Sequence, residues 1–429
     1  MKKITTLLLS TASALVAASG AGAADLPSRK AAPVEYVRVC NTYGAGFFYI
    51  PGTQTCLRVS GRLRAEGLYL QPVKKNDDVT GLRAYGRVNV DARTATAYGT
   101  LRTFIRYDAI RQSGAYSKGG LQANETTVAL DKGFVQFGPL TAGRAQSMFD
   151  FYADDLNWGT LRGSDQSTQM FAYTATFGSG VSATLSLEDG TERRNDSWQR
   201  ADDFKRKADT NLQGGNRLPD LVANLNVTQG WGSAQLSGAL HEITASSARA
   251  AQQVDSKYGF AVQAGLKLNL PMLAQGDVLW LQGAYAEGAL SYLQAGSISA
   301  GGVKTTADDA YEAVNGSTSS LKLSKGYAIT AAFQHYWTPA IRQAVFGSYL
   351  DVNTFDRFKG AATGQTDYKE FRVGSNLIWS PVSGLDIGVE VLYAKLDPKG
   401  RVADSNRGGT FTLGSDDSLS ARFRVQREF

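Results

Sequence analysis

Apolar and polar residues alternate along much of this chain. From Leu57 to Tyr69 the odd positions are apolar or small, whereas the even positions from Arg58 to Glu66 are Arg, Ser, Arg, Arg and Glu. Successive side chains of a β-strand point to opposite faces, so this period of two predicts a strand with one apolar and one charged face. A half-buried strand of a soluble protein has the same pattern, so one such strand does not decide the fold class.

The alternation recurs at 82–91, 101–108, 371–379, 385–393 and 419–426, close to the terminal Phe429. A soluble β-sandwich is the competing architecture, but a sandwich core could not bury many unpaired guanidinium groups. Strict alternation through 129–137 would place Asp131 on the apolar face. The arginines expected on the polar face are Arg58, Arg62, Arg64, Arg87, Arg102, Arg106, Arg144, Arg372, Arg422 and Arg424.

The connections between the predicted strands alternate in length. Long polar connections lie near 70–81, 109–126, 147–168, 189–218, 243–257, 288–325, 352–369 and 396–416. Short connections lie near 93–97, 138–141, 178–180, 228–231, 270–276, 338–340 and 380–384. Outer-membrane β-barrels have short periplasmic turns and long outer loops, so the chain is predicted to be all-β, a transmembrane antiparallel β-barrel of about 16 strands over 57–429.

The N-terminus has the features of an export signal. Lys2 and Lys3 precede a short apolar run, and a small-x-small cleavage site ends at Ala23, so 1–23 is predicted to be a signal peptide. Residues 24–56 are then a periplasmic lead-in. Cys40 and Cys56 lie there, and because an exported chain meets an oxidising compartment, they are predicted to form a disulfide.

The third long connection, 147–168, differs from the rest of the chain. It carries Asp150, Asp154, Asp155 and Asp165 in a chain whose formal charge is +6, together with several aromatic residues. Phe149, Phe151 and Trp158 are expected to anchor it to the barrel wall. We expect this connection to fold into the lumen as a constriction loop.

Catalytic, metal and nucleic-acid chemistry have little support in the sequence. His241 and His335 lie far apart, and neither a cluster with metal-ligand spacing nor a nucleophile-elbow motif is present. An outer-membrane enzyme would need one of these histidines beside a serine, and this alternative remains open at the level of sequence. The mixed-charge stretch 193–217 is interpreted as a solvated loop. We therefore predict no enzyme activity, no cofactor, no metal and no nucleic-acid partner.

Several segments resemble the alphaproteobacterial outer-membrane porins. The resemblance is most specific from Val34 to Val59, and it continues in LPDLVANL (218–225), LWLQGAYA (279–286) and RFRVQREF (422–429). It implies a sixteen-stranded, trimeric general diffusion porin whose third long loop folds inward. It also implies partners, namely outer-membrane lipid and lipopolysaccharide, further copies of the chain, and the barrel-assembly machinery that reads the terminal Phe429.

The resulting hypothesis is a passive channel for small hydrophilic solutes and ions, selected by pore width and by charge at the narrowest point. The loop carboxylates Asp150, Asp154, Asp155 and Asp165 would face wall arginines across the pore. Pairing of these arginines with Asp91, Asp108 or Glu66, which would only stiffen the wall, is the alternative interpretation. A substrate-specific channel and a closed adhesive barrel also remain open. The candidate basic residues are Arg58, Arg62, Arg64, Arg87, Arg102, Arg106 and Arg144.

Overall fold

The computed structural model describes residues 38–117, 124–195, 214–244, 255–315, 318–354, 366–399, 402–403 and 412–429. The predicted signal peptide, 1–23, and the lead-in up to residue 37 lie outside the described residues. Among the residues described, no helix is both long and apolar enough to cross a membrane.

Seventeen strands share one sheet, and sixteen of them close into an antiparallel barrel. Each strand pairs with its neighbours in sequence, and β1 pairs with β16 from Arg62↔Glu428 to Leu70↔Ser420, which leaves no free edge. The predicted all-β barrel is therefore confirmed. Strands β1 to β16 are Cys56–Leu70, Thr80–Thr96, Gly99–Ser113, Asn124–Phe137, Leu140–Gln146, Ser167–Gly178, Val181–Glu188, Asp220–Gln229, Gly232–Ile243, Lys257–Asn269, Val278–Glu287, Lys325–Thr338, Ile341–Asn353, Asp367–Val382, Leu385–Lys399 and Asp416–Glu428.

The apolar face of the strands points outward and the polar face points into the lumen. On β1 and β2, Leu63 and Leu82 are 58% and 70% exposed, whereas Glu66 and Asp91 are 4% and 1% exposed. A soluble protein buries the apolar set instead, because water surrounds it. The reversed arrangement suits a barrel surrounded by lipid.

The connections alternate as predicted. Six of the seven short ones contain two residues, and the seventh is 270–277. The long ones carry the short strand pairs Ile298–Ala300 with Val303–Thr305, Ala310–Asn315 with Thr318–Leu323, and Val402–Ala403 with Thr412–Leu413. The 3-10 turns are Asn41–Tyr43, Gly114–Tyr116, Gly190–Arg193 and Leu290–Leu293. The third long connection, 147–166, is called the inward loop because its side chains pack inside the barrel.

A disulfide-closed hairpin precedes the barrel. Cys40 and Cys56 are bonded, as predicted, and the short strand Phe48–Tyr49 pairs with the start of β1. Phe47 is buried beside the disulfide, and the guanidinium carbon of Arg58 lies 5.1 Å from the Phe47 ring centroid. The hairpin therefore covers the lumen face at the first residues of β1.

One β-bulge changes which residues reach the lumen. On the β3–β4 pair, Arg106 is opposite Lys132 and Tyr107 is opposite Leu130, so Asp131 has no opposite residue. A bulge inserts one extra residue into a strand and interrupts its alternation. Asp131 and Lys132 consequently both border the lumen. The outward placement that strict alternation gives Asp131 is wrong.

Candidate functional site

The inward loop lies along the inner wall and bonds to successive strands. Its backbone supplies most of these contacts, and the wall supplies polar side chains that point into the barrel. Because a loop inside a barrel must satisfy its own backbone groups, this row of partners makes its path possible. The contacts run in strand order from Met148 O to Asn224 on β8, Asp150 O to Gln235 on β9, Phe149 O to Gln263 on β10, Tyr152 N to Gln282 on β11, Arg162 O to Thr330 on β12, Arg162 N to Ser348 on β13, Leu156 O to Asn376 on β14, and Trp158 N to Glu390 on β15.

Aromatic side chains fix the first half of the inward loop. Phe149 is fully buried and meets Tyr292 edge-on, with ring centroids 4.7 Å apart. Phe151 and Tyr152 both pack edge-on against Trp280 on β11, at 5.1 and 5.5 Å. Edge-to-face pairs are favourable beyond the area they bury. Two buried apolar clusters therefore lie inside the barrel, where the inward loop and the long connection after β11 pack against the wall.

The tip of the loop is a tight turn. Ala153 and Asp154 both have left-handed φ values, 46° and 53°, and Asp155 N donates to Tyr152 O across 3.1 Å. Two consecutive left-handed residues define a type I′ turn, which glycine and asparagine adopt with less strain than alanine. The Asp154 carboxylate accepts hydrogen bonds from Asn157 Nδ2 at 2.8 Å and Leu161 N at 3.1 Å. These bonds hold the turn in place.

Two carboxylates of the wall fasten the second half of the loop. Glu390 accepts hydrogen bonds from Trp158 N and Gly159 N, both at 2.6 Å. Glu370 forms a two-pronged ion pair with Arg162, whose side chain is almost fully buried. Such a pair of parallel N–H···O bonds sets orientation as well as position.

The inward loop and the opposite wall enclose a cavity of about 950 Å³ in the lumen. Asp154, Asp155 and Asp165 line it from the loop, and Asp131 lines it from β4. The wall side is mostly basic. The candidate basic residues that line it are Arg62, Arg64, Arg87, Arg106 and Arg144, and the cations that line it without having been candidates for the narrowest point are Arg83, Lys132, Arg342 and Arg424.

The additional cations differ in how well the sequence marks them. Arg83 and Arg424 share the phase of the polar face on their strands, so the alternation places both toward the lumen, although neither was a candidate for the narrowest point. Lys132 follows the bulge, where alternation fails. Trp158 also borders the cavity, with the guanidinium carbon of Arg424 at 4.2 Å from its ring centroid. Trp158 thus both holds the loop to the wall through Glu390 and borders the cavity.

Three candidate residues do not line this cavity within the described part of the chain. Asp150 is buried, accepts hydrogen bonds from Gln146 Nε2 and Gln166 N, and lies 3.5 Å from the Arg193 guanidinium. Arg58 is covered by the N-terminal hairpin. Arg102 is bound to Asp91 at 2.9 Å.

Most of the arginines on the lumen wall are neutralised by carboxylates. Such pairs stiffen the wall and reduce the charge that a solute meets. Arg62 and Arg64 differ, because no carboxylate lies within 4.0 Å of either among the described residues. The paired groups are Arg83–Glu66, Arg87–Asp108, Arg102–Asp91, Arg106–Asp131, Arg144–Glu192, Arg342–Asp386 and Arg424–Glu66, with N–O distances between 2.5 and 3.4 Å.

Three carboxylates of the inward loop, Asp154, Asp155 and Asp165, have pKa values above the usual range. Burial raises the pKa of Asp154 to about 7, although the hydrogen bonds from Asn157 and Leu161 oppose the shift. Burial also raises the pKa of Asp155 and of Asp165. Desolvation disfavours the charged form of a carboxyl group, which accounts for the direction. The negative charge of the loop therefore depends on pH near neutrality.

The two histidines are each held by a carboxylate. His241 Nδ1 lies 2.8 Å from Asp220, and His335 Nδ1 lies 2.6 Å from Asp277. Within the described ranges, no group of three His, Cys, Asp or Glu side chains is arranged to hold a metal ion.

Comparison with known proteins gives a consistent result. The family model described as "Porin subfamily" matches residues 25–421. Porin Omp2b of Brucella canis is 34% identical over 302 residues, covering 67% of this chain and 75% of the relative. Porin Omp2b of Brucella suis biovar 1 is 34% identical over 296 residues, with the same coverage. The outer membrane channel DcaP of Acinetobacter baumannii superposes with a TM-score of 0.64 at 17% identity, covering 89% of this chain and 99% of that one.

Proposed function

Since this chain belongs to the porin subfamily and forms a diffusion channel in the outer membrane, we propose that its selectivity arises where the inward loop faces the basic wall. The observation that carries the proposal is that one cavity has Asp154, Asp155 and Asp165 on the loop side and arginines on the other. Small hydrophilic solutes would cross between these two rows without a covalent step or an energy source.

Opposed charges across a narrow passage produce a transverse field. At an effective dielectric constant near 20, unit charges ~4 Å apart interact by about 4 kcal/mol. Across a wider gap, salt at physiological strength screens them within about 8 Å. Polar solutes can orient in such a field, whereas an apolar solute must displace the ordered water without compensation. The field therefore favours hydrophilic solutes at the narrowest point.

Only part of the charged lining contributes to this field. The ion pairs of the wall remove most of the net charge of Arg87, Arg106 and Arg144. Among the described residues, the loop carboxylates have no such close guanidinium partner except Asp150, which is outside the cavity lining. Asp154 and Asp155 are thus the carboxylates whose removal should change selectivity most.

The test is the reversal potential of the purified channel in a potassium chloride gradient. Replacing both loop-tip carboxylates, D154N/D155N, should shift the potential toward anion preference. D397N is the matched control, because Asp397 is exposed on β15 and does not line the cavity. An unchanged reversal potential in the double variant would show that Asp154 and Asp155 do not determine ion selectivity.

We further propose that the chain works as a homotrimer surrounded by outer-membrane lipid and lipopolysaccharide. An apolar groove of about 580 Å³ on the outward surface supports contact with a second copy. Its lining includes Gly67, Leu82, Ala84, Phe423 and Val425. Large charged substitutions there, such as A84E, should convert the assembly to monomers on a native gel, and an unchanged mobility would place the interface elsewhere.

A further inference from the structure

Three cations that line the lumen cavity have no carboxylate within 4.0 Å among the described residues: Arg62, Arg64 and Lys132. Lys132 donates to the side-chain oxygen of Gln146 at 3.0 Å. Arg62 and Arg64 are adjacent on the lumen face of β1, because they are two residues apart on one strand. Neither of these two charges is therefore compensated by a carboxylate within 4.0 Å in the described part of the chain.

A single tyrosine organises this pair. The guanidinium carbons of Arg62 and Arg64 each lie 5.4 Å from the ring centroid of Tyr85. The ring itself is fixed, because the Tyr85 hydroxyl donates to Asp108 and accepts from Arg87, both at 2.5 Å. Arg62 and Arg64 are therefore positioned by contacts that leave their charge unpaired.

The hydrogen-bonding capacity of the pair is also incompletely used. Arg64 Nε donates to the side-chain oxygen of Gln426. Arg62 Nε is buried and has no hydrogen-bond acceptor in the structure. A buried donor without an acceptor is costly, and the face of an aromatic ring offsets only part of the repulsion between two guanidinium groups. The repulsion between the two guanidinium groups falls when an anion with oxygen acceptors binds between them.

We propose that Arg62 and Arg64 form an oxyanion-binding subsite in the lumen, which retains the carboxylate or phosphate group of a passing solute. Guanidinium groups match these anions because their N–H groups form parallel pairs of hydrogen bonds with two oxygens. The subsite rests on the proposed channel function, because a solute must reach it through the lumen. It makes the channel one that passes and briefly holds acidic metabolites, rather than one that only sorts by size.

The test is block of the chloride current through single channels. Potassium phosphate or potassium propionate is added at pH 7 to channels conducting potassium chloride. The wild-type current should fall along a saturating curve with each anion. R62Q/R64Q should raise the half-blocking concentration by about tenfold or more, the size expected when charge-assisted hydrogen bonds are lost. R102Q is the matched control, because Arg102 is bound to Asp91 and does not line the cavity, and its block should stay within about twofold.

R62K/R64K separates a binding site from a general positive field. Lysine keeps both charges but cannot form the paired hydrogen bonds. If the subsite exists, R62K/R64K should keep the reversal potential of the wild type, while its half-blocking concentration rises by about threefold or more. Equal block in the lysine and arginine channels overturns the subsite, as does equal block in R62Q/R64Q.

Comparison of phosphate with propionate identifies the class of anion that the subsite binds. Block by both supports a shared oxyanion site, and block by one alone assigns it to carboxylates or to phosphates. Block by neither overturns the proposal. Failure of the channel function is distinguishable, because folded protein would then give no current steps. If only the subsite is absent, the current steps and the shift in reversal potential of D154N/D155N remain.

Discussion

Arg162 on the inward loop and Glu370 on β14 form a two-pronged ion pair inside the barrel, with Arg162 Nη2 2.8 Å from Glu370 Oε1. Arg162 also donates to Gln294 O at 2.6 Å, and Glu370 also accepts from Arg372 at 2.8 Å. The pair thus joins the inward loop, the wall and the long connection after β11.

Breaking this pair should free the loop. E370Q leaves the buried Arg162 charge uncompensated, at a cost of about 3–5 kcal/mol. We expect a lower unfolding temperature and a larger, noisier single-channel current, because the loop can then leave the wall. The double variant R162Q/E370Q removes both charges and should recover part of the stability. If the stability lost in R162Q/E370Q equals the sum of the losses in R162Q and E370Q, the two residues are not coupled.

The selectivity of the channel should depend on pH near neutrality. The pKa of Asp154 is raised to about 7 by burial, so its carboxylate is charged above pH 7 and neutral below it. As the pH falls from 8 to 6, the loop loses negative charge and the cation-to-anion permeability ratio should fall. An ordinary aspartate, with a pKa near 3.9, would not respond in this range. Reversal potentials of wild type and D154N should therefore differ at pH 8 and converge at pH 6. A wild-type potential that stays constant over this range would contradict the assignment.

Gly265 on β10 leaves room for the ring of Phe151. A methyl group there would lie 2.1 Å from Phe151 Cδ1, so G265A must displace the ring from Trp280. We expect a loss of about 1–3 kcal/mol in stability and a changed conductance, because overpacking moves the loop tip. G283A is the control, since nothing lies within 4 Å of the added atom. If both variants conduct and unfold as wild type does, the Phe151 contact does not position the loop.

The terminal Phe429 should act in assembly and not in conduction. Its backbone exchanges hydrogen bonds with Gly61, at 2.8 and 3.0 Å, while the residue remains 66% exposed. We propose that the barrel-assembly machinery recognises this ring. F429A keeps the backbone pairing, so a low yield of folded barrel with normal unit conductance would indicate that the ring is recognised. Deletion of the residue should lower the yield further. Normal yield of F429A would disprove recognition of the ring.

The fold was predictable because clear alternation recurs in six segments and because long and short connections alternate along the whole chain. Alternation and connection length each depend on local sequence, and both follow from a lipid-facing wall around a polar lumen. The bulge at Asp131 was not predictable from the alternation. One inserted residue shifts the phase of a strand without leaving a distinctive residue type, so both Asp131 and Lys132 were misplaced or missed.

The site was predictable in part. Charge composition identified the loop carboxylates, and Asp154, Asp155 and Asp165 do meet in one cavity with Arg62 and Arg64. The partner of each arginine was not predictable, because a contact such as Arg162–Glu370 joins residues 208 positions apart. Asp150 and Asp155 are also indistinguishable in sequence, yet one is buried beside Arg193 and the other borders the cavity.

The bonding of the inward loop to β8 through β15 has an evolutionary consequence. A loop transplanted from a relative would meet Gln282 and Glu390, whose positions match backbone groups of the native loop, and Glu370, which matches the side chain of Arg162. A foreign loop would leave these polar groups without partners. We therefore expect loop and wall residues to change together between relatives. Pore width would then change through paired substitutions in loop and wall rather than by exchange of the loop alone.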